Sequence, residues 1–147
     1  MRLSMNTVNA AVTQHEGEDI VSFAAVGGKV FAAGPGGLYE VTGTLDDGDD
    51  IAASIVFGEQ DFGSDKQKRP VAAYVEAKTA MPLTFHVYTP EGDYDYPMNN
   101  DSGELVVHKT PLGKGIKAKR LQYGVSGHNI GELPEVTVLI GAGARRV

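Results

Sequence analysis

No stretch of this 147-residue chain runs long enough for a stable helix before a glycine or a β-branched residue interrupts it. The nineteen glycines, well above the usual share of about 7%, fall between short β-prone runs and follow no G-X-Y order. Short apolar runs with that punctuation predict an all-β fold rich in turns. The alternation is clearest in Leu83-Thr84-Phe85-His86-Val87-Tyr88 and in Val136-Thr137-Val138-Leu139-Ile140, where every second side chain is suited to a core.

In chain order, Val8 to Thr13 reads as a first edge strand and His15 to Asp19 as a turn. Ile20 to Val26 and Lys29 to Ala33 flank Gly27-Gly28, a pair that supplies the positive φ angles of a tight hairpin. Gly34-Pro35-Gly36-Gly37 turns the chain again into Leu38 to Thr42. These strands form a small β-meander, shaped like most of one propeller blade, which needs something to lie on. Seven further runs follow: Ile51–Phe57, Pro70–Lys78, Leu83–Tyr88, Tyr94–Tyr96, Leu105–His108, Ala118–Val125 and Val136–Ile140. Their turns are Pro90 to Asp93, Asp101 to Gly103 and His128 to Gly131, a spacing that suggests a two-sheet antiparallel β-sandwich. The expected division is a meander over 1–50 and a sandwich over 51–147.

The acidic turn Asp46-Asp47-Gly48-Asp49-Asp50 sits at this junction and divides the charge. Residues 1–65 carry eleven acids and two bases, whereas residues 66–147 carry eleven bases and eight acids. Lys109 to Arg120 holds five of those bases and no acid. Three readings of it compete: a nucleic-acid patch, a solvated strand edge blunted by lysines, or a surface complementary to the acidic turn of another copy. It lacks aromatics for base stacking, and the net charge of −6 disfavours non-specific nucleic-acid binding. Head-to-tail packing of copies accounts most economically for the asymmetry. It would set Asp46, Asp47, Asp49 and Asp50 against Lys114, Lys117, Lys119 and Arg120, with Arg145 and Arg146 serving the same contact or keeping the tail soluble.

Little else points to chemistry. The acidic turn is the best metal candidate because Ca²⁺ takes clustered carboxylates, but it lacks EF-hand spacing and reads better as a solvated turn or charged patch. No cofactor is expected. The glycines at 34–37 and 113–115 are followed by strands rather than by a helix N-terminus, so they read as turns and not as phosphate cradles. His15, His86, His108 and His128 are scattered without metal-binding spacing, and His86 is expected to face away from Phe85 and Val87. Gly124-Val125-Ser126-Gly127 does not match a nucleophile elbow, though a catalytic dyad is a matter of geometry that sequence leaves open. Without a motif the chain is expected not to be an enzyme. There is no cysteine, hence no disulfide framework. No signal-like leader and no apolar run near the ~20 residues of a membrane span are evident, so no membrane partner is expected.

The order of the turn motifs carries a resemblance. Asn6-Thr7 is followed by Ser22-Phe23-Ala24, by Gly36 to Glu40, by Gly43 to Gly48 with Ile51, by Asp61-Phe62-Gly63-Ser64 and by Lys68-Arg69; Arg145-Arg146 closes the series. This order is similar to that of a group of tailed-bacteriophage virion proteins from tail and baseplate gene clusters. The resemblance implies a structural protein of the virion tail, made in the host cytoplasm, whose partners are copies of itself in a ring and other tail or baseplate proteins. It supplies no catalytic residues. The rival expectation is a lectin-like or adhesin sandwich that binds a host glycan through Tyr88, Tyr94, Asp95 and Tyr96 around the Pro90–Met98 loops.

Overall fold

The computed structural model describes residues 2–5, 12–15, 19–43, 45–46, 48–99 and 102–142, and every regular element among them is a β-strand. They fall into two compact units, Met1–Gly43 and Thr44–Val147. The acidic turn therefore belongs to the second unit, not to the meander. The expectations for Asp47, Arg145, Arg146 and most of the Val8–Thr13 strand lie outside the described residues.

In the first unit β1 (Arg2–Met5) pairs with β2 (Val12–His15), and β3 (Ser22–Val26), β4 (Lys29–Gly34) and β5 (Gly37–Glu40) form a separate antiparallel sheet in that order. Gly27 and Gly28 take φ of 59° and 79°, the left-handed values the Gly-Gly hairpin requires. Register places Phe23 and Tyr39 on either side of Ala32, and Ala25 opposite Val30. With Val21 and Val41 continuing the alternation, one face of this sheet is apolar throughout. The other face is mixed and carries the Lys29–Glu40 ion pair at 2.9 Å.

The second unit opens with a minimal hairpin, β6 (Leu45–Asp46) and β7 (Asp49–Asp50), whose turn has Gly48 at φ 94°. The strands β8 (Ala52–Val56), β9 (Lys68–Lys78), β10 (Leu83–Thr89), β11 (Gly92–Met98), β12 (Leu105–Pro111), β13 (Gln122–His128) and β14 (Glu132–Ala142) follow. They make two antiparallel sheets ordered β11-β10-β13-β8 and β12-β9-β14. The inward residues of β9 are the small ones, Ala73, Val75 and Ala77, and they share one core with the larger Leu83, Phe85 and Val87 of β10 and with Val125 of β13. Small side chains on one sheet leave room for large ones on the other, which lets the two layers close to native density.

The run expected over Ala118–Val125 is interrupted. Ala118 and Leu121 are both buried yet stand three positions apart, a spacing that a period-2 strand cannot keep on one face. The chain bends between them; Ala118 and Leu121 make isolated bridges to Lys68 and Gln60, and the continuous strand starts only at Gln122. Lys68 secures the bend. Its buried ammonium donates to the Lys119 carbonyl at 2.8 Å and to the Ser64 carbonyl. Pro70 is tolerated in the middle strand of its sheet because it lies opposite the register shift between Leu139 and Ile140.

Candidate functional site

The outer face of the four-stranded sheet presents the side chains that alternate with the core. On β10, Leu83, Phe85 and Val87 point inward, so Thr84, His86 and Tyr88 point out. Antiparallel register sets His86 directly opposite Asp95 on β11 and directly opposite Gly124 on β13, while Thr84 faces Ser126. Gly124, opposite His86, carries no side chain of its own. The imidazole reaches diagonally to the residue two positions along β13, and its Nε2 lies 2.7 Å from Ser126 Oγ. Its Nδ1 lies 2.6 Å from Asp95 Oδ1.

The polarity of these two bonds follows from the groups. An ionised carboxylate only accepts, so it places the proton of a neutral imidazole on Nδ1. Nε2 is then the acceptor, and Ser126 Oγ donates to it. Tyr88 supports the ring from one side, stacked at 5.9 Å between centroids and 17° between planes. His86 is sheltered, with 18% of its side chain exposed, whereas Asp95 stands in solvent with 67% exposed. Ser126 also lines a shallow hollow of about 370 Å³, together with Ser54, Thr84, Ala52, Ala53, Pro82, Gly127 and His128. Among the described residues no carboxylate, lysine or arginine lines it. A larger hollow of about 730 Å³ lies elsewhere, around Glu59 to Gly63 and Arg120, with no serine or histidine among its described lining residues.

The residues singled out for charge fare differently. Asp46 and Asp49 are exposed on the acidic hairpin, and Lys114, Lys117 and Lys119 are exposed on the basic segment. Asp50 is already engaged, because its Oδ1 accepts from Asn129 Nδ2 at 2.6 Å. Arg120 faces Glu59 at 3.5 Å, so one member of the basic segment pairs within its own chain. Among the described residues no cluster of three or more His, Asp or Glu side chains is arranged to hold a metal ion. The Gly113 N–H donates to the Tyr96 hydroxyl at 2.9 Å, which takes up a donor a phosphate loop would need.

The tyrosines proposed for glycan recognition do not share a surface. Tyr94 and Tyr96 pair with Val87 and Phe85 and follow the inner face, whereas Tyr88 pairs with Asp93 and follows the outer one. His86 does face away from Phe85 and Val87, as its place in the alternation requires. The Ser126–His86–Asp95 relay escaped the sequence because its members lie nine and forty residues from His86 and fit no local motif. Comparison with protein families, with curated proteins and with solved structures finds no match to this chain.

Proposed function

We propose that this chain is a structural subunit of a bacteriophage tail, in its distal or baseplate region, that assembles with copies of itself and with other tail proteins. The observation that carries the reading is the apolar face of the β3-β4-β5 sheet. Val21, Phe23, Val30, Tyr39 and Val41 all lie on it and all are exposed, by 43% to 74%. A sheet must bury one face, and a patch of this kind is the usual mark of a contact surface. Fully covering a Val or Phe side chain contributes about 1.5–3 kcal/mol. Exposed ion pairs contribute only about 0–1 kcal/mol each.

Apolar burial therefore supplies the holding energy in this reading. Asp46 and Asp49 against Lys114, Lys117 and Lys119 set orientation and rate of encounter. The choice of particle rests on the similarity of the turn-motif order to that of tail and baseplate proteins. A second feature agrees: β8 is an edge strand with no charged residue and no proline, and so lacks the devices that ordinarily block strand addition.

Sedimentation velocity with negative-stain imaging tests the proposal. The protein is expected to sediment as a closed oligomer, and the double variant Val21→Glu/Val41→Glu to sediment as a folded monomer. Reversing Lys114 and Lys117 to Glu is expected to weaken assembly modestly, and more in low salt than in high. A wild-type monomer at every accessible concentration, together with virions that lack the protein, would overturn the reading.

A further inference from the structure

We propose that Ser126, His86 and Asp95 form an acyl-transfer centre that hydrolyses short, uncharged esters, independently of whether the chain assembles. Each part has a place in the fold. Asp95 orients the imidazole through Nδ1, Nε2 accepts the Ser126 hydroxyl proton, and Ser126 opens onto a hollow. Nucleophile, base and orienting acid come from three adjacent strands, β13, β10 and β11, so the sheet ladder holds their spacing without help from loops. Gly124 stands directly opposite His86 in this register, and the Ser126 side chain is the next on that face of β13.

The surroundings select the substrate. Ser54 and Thr84 are the cross-strand neighbours of Ser126 on its two sides, and both line the same hollow. Their hydroxyls are side-chain donors in the lining that could meet negative charge on a carbonyl oxygen beside Ser126. The rest of the wall is alanine, proline, glycine and histidine, and the volume is near the lower end for small-molecule sites. A neutral ester with a short acyl chain suits that wall; a carboxylated or phosphorylated one finds no lysine or arginine among the described lining residues.

In the first step Ser126 Oγ bonds to the ester carbonyl carbon, the carbonyl π pair moves onto oxygen, and the hydroxyl proton passes to His86 Nε2. The tetrahedral adduct then collapses, the bond to the alkoxy oxygen breaks, and the alcohol leaves with the proton from Nε2. Water adds to the acyl-serine and gives a proton to Nε2. That proton returns to Ser126 Oγ as the acid departs. Ester and water become acid and alcohol, and no other reactant is needed.

The full-length protein, treated with a fluorophosphonate probe and mapped by peptide mass spectrometry, gives the test. Ser126 is expected to be the labelled serine, with p-nitrophenyl acetate and butyrate turned over at a rate that Ser126→Ala abolishes. His86→Gln preserves a hydrogen-bonding side chain on an outward position yet cannot act as the base, so labelling is expected to slow by about 10²-fold or more. Asp95→Asn, at an exposed site, is expected to slow it by roughly tenfold with an unchanged melting temperature, because a solvated carboxylate orients and stabilises less than a buried one. An unlabelled Ser126 in the folded chain overturns the proposal. So does a labelling rate that neither His86→Gln nor Asp95→Asn changes, since His86 would then only clamp three strands together.

Discussion

Gly124 and Gly127 show how a single missing side chain shapes the four-stranded sheet. A Cβ on Gly124 would stand 2.7 Å from the Ile55 carbonyl oxygen and 3.3 Å from Val56 Cγ2. The first of these is backbone in a paired strand and cannot retreat without loosening the ladder between β13 and β8. At Gly127 the equally close atom, at 2.7 Å, is Leu83 Cδ2, a methyl at the end of a rotatable chain. Gly124→Ala is therefore expected to cost more than Gly127→Ala, with both in the range of about 1–3 kcal/mol for overpacking. Urea unfolding midpoints check the order, and a larger loss at Gly127 would contradict the steric account.

Among the strands, the junction of β7 and β8 is tied to the turn between β13 and β14 by one residue. Asn129 accepts from the Ile51 N–H at 2.8 Å through Oδ1 and donates to Asp50 through Nδ2, while its own N–H donates to the Ile51 carbonyl at 2.8 Å. It does so at φ 50°, a left-handed conformation that asparagine visits more readily than most residues. Asn129→Ala loses the side-chain bonds and also bears the backbone strain, for an expected loss of about 2–3 kcal/mol. Asn129→Gly loses the same bonds without the strain and should cost roughly 1 kcal/mol less. Thermal unfolding of the two variants distinguishes them; equal losses would mean that the backbone angle carries no weight.

The two units differ in how much core each owns. The main apolar cluster, from Ala73 through Phe85 to Val125 with Leu112, Ile116 and Leu121 at its margin, lies wholly within the second unit. A two-layer sandwich of that size buries enough surface to stand alone. Among the described residues of the first unit Ile20 and Ala32 are the buried hydrophobic ones, while Val21, Leu38 and Val41 are exposed. The fragment 44–147 is expected to unfold cooperatively in denaturant with a sigmoidal circular dichroism transition, and the fragment 1–43 to show none. A cooperative transition in the shorter fragment would remove the need for a cover on its apolar face, and with it the chief support for assembly.

The all-β class was legible because it rests on local rules. Period-2 alternation marked Leu83–Tyr88 and Val136–Ile140, and Gly27-Gly28 and Pro90-Glu91 turn the chain where their backbone preferences dictate. The break at Lys119–Arg120 was written in the three-residue spacing of Ala118 and Leu121, but it shows only once both are known to be buried. The relay is different in kind. Whether His86 meets Asp95 and Ser126 depends on which strands are neighbours and in what register, and a shift of one residue on β13 would send Ser126 into the core. The destiny of Asp50, spent on Asn129 rather than left for another copy, likewise follows from strand order and not from composition. Local preferences act over a few residues and can be read along the chain; cross-strand partners are chosen by the packing of one face against another, which no single segment contains.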